Sequence, residues 1–193
     1  MVNTGEMYRA VTWELLRRGI DPGDQEAVAP ALAEMDFGCG VRDGISTVSV
    51  GGVEPGAGLR SDEVNARVSE VSAIPEVRER LVALQREFLN IGDVVMEGRD
   101  IGTVVFPDTP YKIYIDAPVE VRSARREADG ERDAVGKRDA ADSSRATAPL
   151  RAAPDAMRLD NSELDPEETL EAALRLLAGR GWKFDEPATP GKP

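Results

Sequence analysis

Gly98-Arg99-Asp100 stands between Glu97 and Ile101-Gly102 and follows directly on the apolar run Val94-Val95-Met96. Arg99 presents a planar fork of donors suited to phosphate, whereas Asp100 presents only acceptors. Side by side they can hold a ligand that is anionic at one end and carries N–H or O–H groups at the other. The apolar run reads as a buried strand, Asp93 to Met96, whose carboxyl end opens into a crevice, where open α/β sheets bind ligands. A surface Arg-Asp turn is the plainer alternative, and this stretch alone leaves the two evenly matched.

Three further groupings carry charge where a polyanion could use it. Asn3-Thr4-Gly5-Glu6-Met7-Tyr8-Arg9 opens a helix, whose N-terminus favours an anion, with Arg9 about one turn in. Ser69 and Arg78 lie in two successive helices. Arg138, Asp142 and Arg145 are spaced three to four apart, which places them on one helical face. Taken singly, each grouping is equally well explained as a cap, a surface ion pair or a turn.

Composition narrows the chemistry. The chain has 193 residues, 41% apolar and 31% charged, which fits one soluble domain, with room for a small insert. It contains no histidine, so His-dependent triads, His-ligated zinc and His general bases are excluded. Phosphoryl transfer survives, because it works mainly by positioning and charge stabilisation. A single cysteine, Cys39, excludes an internal disulfide. The net charge of −12 argues against a nucleic-acid surface. Yet arginines gather late in the chain, at 122, 125, 126, 132, 138 and 145, and a local basic cluster in an acidic protein suggests a confined anion site. Helix-surface ion pairs account for about half of them on the plainer reading. Without an apolar run approaching about 18 residues or a signal sequence, the expected location is cytoplasmic, away from membranes.

The elements that must position these residues alternate between helix and strand. Gly5 to Arg18 reads as a helix with Thr4 as candidate N-cap, and Gln25 to Met35 as a weaker one interrupted by Pro30. Residues 37 to 60 hold seven glycines and the alternating run Ser46 to Val50, the pattern of a small antiparallel β insert. Ser61 to Ser72 reads as a capped helix and Pro75 to Leu89 as a second. Tyr111 to Asp116 is a strand, followed by a helix from Pro118 and a charged helical hairpin over 127–146. Met157 to Asp160 is a last strand. Asp165 caps a closing helix that Gly179 ends, and the proline-rich tail 185–193 is expected to be disordered. The alternation predicts an α/β domain with a mostly parallel sheet.

Jointly the groupings resemble the bacterial cytidylate kinase family of P-loop nucleoside monophosphate kinases. The matching strings are Thr-Gly-x-Met-Tyr-Arg-Ala at 4–10, Ser69 with Pro75-x-Val77-Arg78, and Glu-Gly-Arg-Asp-Ile-Gly-Thr-Val-Val-Phe-Pro-Asp at 97–108. Lys-Ile-Tyr-Ile-Asp-Ala at 112–117 and Arg-Asp-x-x-Asp-Ser-x-Arg-Ala-x-Ala-Pro-Leu at 138–150 complete them. The resemblance is collinear from residue 3 to about 178. It implies that Asp100, Ser69 and Arg78 read cytosine, that Arg9, Arg99 and Arg145 clamp the CMP phosphate, and that Thr4 is a further CMP-binding residue. By the same resemblance Arg138 and Asp142 contact the sugar and lid, while Arg99, Arg138 and Arg145 are the catalytic set. ATP with Mg²⁺ is the implied phosphate donor, CMP or dCMP the acceptor, and a monomer the expected state.

The implied fold is a P-loop NTPase-type parallel sheet with flanking helices and a small β-containing NMP-binding insert. The expected division is a core of 1–36 and 73–184, including a lid at 127–146, and an insert at 37–72. The family's Gly-x-x-x-x-Gly-Lys-Ser/Thr phosphate loop is not in the sequence, Asn3 replaces the usual Asp, and the lid is short between Arg126 and Arg138. The expectation is therefore a kinase lacking its first strand, P-loop and first helix, and inactive on its own. A non-catalytic CMP-binding module, completed by a partner, is the alternative.

Overall fold

Residues 1–128, 130, 135–145 and 147–183 are described in the computed structural model. The tail 185–193 and part of the expected hairpin, residues 129, 131–134 and 146, lie outside them.

The chain starts with strand β1 (Val2–Asn3), which runs directly into α1 (Thr4–Arg17). The helix starts one residue earlier than the sequence suggested, because Asn3 is its cap: the Asn3 side chain accepts from the Glu6 N–H at 3.3 Å. Thr4 is released for another task, and its hydroxyl donates to the Glu97 carbonyl at 2.9 Å. Met7, Val11 and Leu15 form the buried stripe of α1. Next comes α2 (Gln25–Glu34), which continues through Pro30 where an interruption was expected. Pro30 is exposed, so its missing N–H costs one hydrogen bond on the solvent side of the helix.

The glycine-rich stretch is an antiparallel hairpin of β2 (Phe37–Arg42) and β3 (Ile45–Val50). Asp43 and Gly44 both take positive φ at its tip, 53° and 77°, the geometry of a two-residue turn. Then follow α3 (Asp62–Val71), capped by Ser61, and α4 (Pro75–Glu87), with Pro75 in its first turn. Val48, Val50, Val68 and Val71 lie in the same apolar cluster as Met7, Val11 and Leu15. The segment 37–72 thus shares its core with the first helix, and burial of this shared face is what fixes α1 against α3.

β4 (Met96–Glu97) pairs in parallel with β1, Val2 opposite Met96. The expected buried strand over 93–96 is corrected here: Val95 is 72% exposed, and the ladder spans two residues. Among the described residues β1 is its single partner, so one face of the run stays open. β5 (Ile113–Asp116) and β6 (Met157–Asp160) form a second parallel pair. Helices α5 (Val119–Ala128), α6 (Val135–Ser144) and α7 (Pro166–Gly179) flank it, the last with an Asp165–Glu168 capping box. The architecture is mixed α/β, with parallel strand pairs, flanking helices and one antiparallel hairpin.

Candidate functional site

The start of α1, the α3–α4 corner, the loop after β4 and the face of α6 meet around one cleft. Its wall includes Thr4, Arg9, Arg78, Arg99, Asp100, Arg138, Asp142 and Arg145. Eight of the nine residues singled out from the sequence therefore converge in space. Ser69 is the ninth; its backbone carbonyl accepts from the Ser72 hydroxyl at 3.0 Å, and Ser72 is the serine on the cleft wall.

Each wall residue is placed by a local device. Gly98 allows the loop to turn against α1, since a Cβ there would collide with the Thr4 hydroxyl and stand 2.9 Å from Ile101 Cδ1. After Asp100 the backbone makes one wide turn over Ile101–Val105, with Phe106 N–H donating to the Ile101 carbonyl at 2.8 Å. Such widened turns recur at functional sites. Helix α4 grips both ends of this turn. Arg78 ion-pairs with Asp100, and Arg86 donates to the Val104 and Val105 carbonyls at 2.9 and 3.0 Å.

The Arg78–Asp100 pair is a buried charged contact, with side chains 5% and 8% exposed. Arg78 also donates to the Ser72 carbonyl at 3.1 Å and lies 5.5 Å over the Tyr8 ring. Burial pushes the Tyr8 phenol up to about 12, so it is neutral at physiological pH. Only Oδ2 of Asp100 meets Arg78; Oδ1 makes no hydrogen bond among the described residues and is left as an acceptor.

At the other end Arg9 is buried and donates to the Leu59 carbonyl at 2.9 Å and to Asn65 Oδ1 at 2.5 Å. Asp142, 3% exposed at its side chain, gathers Arg99 at 2.8 Å, Arg145 at 3.6 Å and Arg138 at 4.0 Å. Arg145 reaches across to the Ser72 hydroxyl at 3.0 Å, which ties α6 to the α3–α4 corner. Its burial lowers its pKa from the usual arginine value, an effect that nearby Asp142 opposes.

The wall carries seven arginines against four carboxylates, in a chain of net charge −12. That local excess makes a confined anion site. Arg60 and Ser72 are wall residues that sequence reasoning missed, and Tyr8, Glu97 and Arg126 stood in its groupings without an assigned role. Helical spacing held a signal for two of them, since Tyr8 is four residues after Thr4 and Ser72 three after Ser69. Glu97 is exposed as a residue, but desolvation of its carboxyl by the surrounding wall, with Glu6 adding to it, raises its pKa against the pull of Arg60 and Arg126.

Among the described residues no three His, Cys, Asp or Glu side chains converge as a metal site. No helix among them is long and apolar enough to cross a membrane.

Comparison with known proteins follows the same contour. The family model described as cytidylate kinase matches residues 1–178. A cytidylate kinase of Streptomyces griseus is 41% identical over 188 residues, covering 93% of this chain and 81% of that protein. One of Mycolicibacterium paratuberculosis is 43% identical over 191 residues, with 93% and 84% covered. One of Rhodococcus opacus is 39% identical over 191 residues, with 93% and 83% covered.

Proposed function

The chain belongs to the cytidylate kinase family, and from that premise we propose that its cleft binds CMP or dCMP for phosphoryl transfer from ATP. The observation that carries this reading is the convergence of eight predicted residues on one arginine-rich cleft. Asp100 Oδ1 accepts from the cytosine 4-amino group, and Arg78 donates to the ring carbonyl and nitrogen, with Ser69 contributing from the same corner. Uracil presents a carbonyl in place of the amino group, so it meets an acceptor with an acceptor and is rejected. Arg9, Arg99 and Arg145, with Thr4, hold the phosphate; Asp142 and Arg138 hold the sugar and the lid helix. Arg99, Arg138 and Arg145 then neutralise charge on the transferring phosphoryl group.

Segment 37–72 serves as the nucleotide-monophosphate insert and 127–146 as the lid of a core formed by 1–36 and 73–184. Mg²⁺ would arrive already bound to the ATP phosphates, neutralising part of their charge. The 193 residues contain no Gly-x-x-x-x-Gly-Lys-Ser/Thr string, so on this reading the chain by itself binds CMP without turning it over. Calorimetry with CMP and UMP tests the first part, and a coupled assay with CMP and Mg-ATP the second. The expected result is CMP binding at least tenfold tighter than UMP, with no turnover. Equal affinity for CMP and UMP would sink the base-reading role, and robust turnover would overturn the claim of inactivity.

A further inference from the structure

Asp139 lines neither the cleft nor the shallow groove beside Ala117 and Arg122, yet it is joined to one arginine from the wall of each. Its Oδ1 accepts from Arg99 Nη1 at 2.6 Å, and its Oδ2 accepts from Arg122 Nη1. Arg122 is itself anchored, its Nε donating to the Ala117 carbonyl at 2.8 Å, where β5 ends. A continuous chain therefore runs from the Ala117 backbone through Arg122 and Asp139 to Arg99. The Asp139 side chain is only 15% exposed. Burial opposes its ionisation, but the Arg122 and Arg99 bonds outweigh burial and hold its pKa below the usual carboxylate range.

The way Arg99 is held separates two roles for this carboxylate. Both acidic partners, Asp139 and Asp142, engage Nη1. Arg99 Nη2 and Nε make no hydrogen bond among the described residues. One corner of the fork is thus fixed by the two carboxylates, and the remaining donors are left without a hydrogen bond to the described residues. A competitor for phosphate would occupy the open edge of the fork; Asp139 does not.

Resting on the CMP reading above, we infer that Asp139 is a positioning residue that pre-aims Arg99 at the substrate phosphate, with Arg122 as its anchor. The advantage is pre-organisation: an arginine already held in its binding geometry loses less side-chain freedom when the phosphate arrives.

Asp139→Asn and Arg122→Gln in the 193-residue chain test this, with CMP and the phosphate-free nucleoside cytidine titrated by calorimetry. Charge alone predicts tighter CMP binding by Asp139→Asn, because the substitution removes a negative charge beside an anion site. Positioning predicts CMP affinity weakened about tenfold, the loss of one charge-assisted anchoring bond, with cytidine affinity unchanged. Arg122→Gln should weaken CMP about threefold, and the double variant no more than Asp139→Asn alone, because both act through one chain. The Arg99 Nε–H resonance, followed by NMR without ligand, should broaden or shift in both variants. CMP binding as tight as wild type, or equal losses for CMP and cytidine, overturns the inference. If Asp139→Asn does not fold, Arg122→Gln carries the same readouts. A wild-type chain that fails to bind CMP would count against the proposed function. The Arg99 resonance would still decide this point, since an unshifted signal refutes the anchor.

Discussion

Replacing Asp100 with alanine should destabilise the protein far more than loss of a surface carboxylate would. Its partner Arg78 is 5% exposed at its side chain, at the α3–α4 corner of the cleft wall, and is largely shielded from bulk water. Removing one member of a buried pair leaves an uncompensated charge, typically at a cost of about 3–5 kcal/mol. Two contacts soften the loss here, the Ser72 carbonyl at 3.1 Å and the Tyr8 ring at 5.5 Å. One aggravates it, because Arg145 faces the same space as a like charge. The expected cost is therefore near the lower limit, about 3 kcal/mol, which for a domain of this size lowers Tm by roughly 6–12 °C. Thermal unfolding followed by far-UV circular dichroism at pH 7 measures it. The drop should persist at high salt, because a buried pair is poorly screened. Combining Asp100→Ala with Arg78→Met removes both charges and should recover at least about half of the loss, the usual sign of coupled partners. A single variant within about 2 °C of wild type, or a double variant whose loss is the sum of both singles, would refute the argument that the pair is a mutually dependent buried unit.

Other outcomes follow from single observations. Gly98→Ala should weaken CMP binding and destabilise by about 1–3 kcal/mol, because the new methyl group displaces Thr4 from its bond to the Glu97 carbonyl; parallel calorimetry and denaturant titration would show both. Leu81→Ala, at a site with 0% exposure, should cost about 2–5 kcal/mol by cavity formation, read as a fall in the urea midpoint at unchanged slope. Acid should destabilise the fold: Glu14, held low by Arg17 and Arg18, and Asp139, held low by its arginines in spite of burial, both have depressed folded pKa values. Their stabilisation is present above the unfolded pKa near about 4 and disappears as pH falls through the lower folded values. Tm should therefore be flat above about pH 5 and fall below it, with a shallower fall in Asp139→Asn.

The sequence by itself determined the family of this protein. The strings around Arg99 and Arg138 carry the likeness to cytidylate kinases, and the lack of histidine in these 193 residues excludes His-dependent catalysis by them. Local signals also set the helices, since capping residues such as Ser61 and Asp165 and a proline at a first turn act within a few residues of chain. What depended on distance could not be read this way. Asn3 rather than Thr4 caps the first helix because Glu97, far along the chain, engages the threonine hydroxyl. The strand before Arg99 is a two-residue ladder, Met96–Glu97, because strand length depends on pairing with β1 and not on the apolar run alone. Ser72 reached the cleft wall, and Asp139 the back of Arg99, through the crossing of α3, α4 and α6. Hydrophobic pattern and capping are properties of neighbouring residues, but the partner of a carboxylate is chosen by packing, and only the tertiary structure decided which arginine each aspartate would hold.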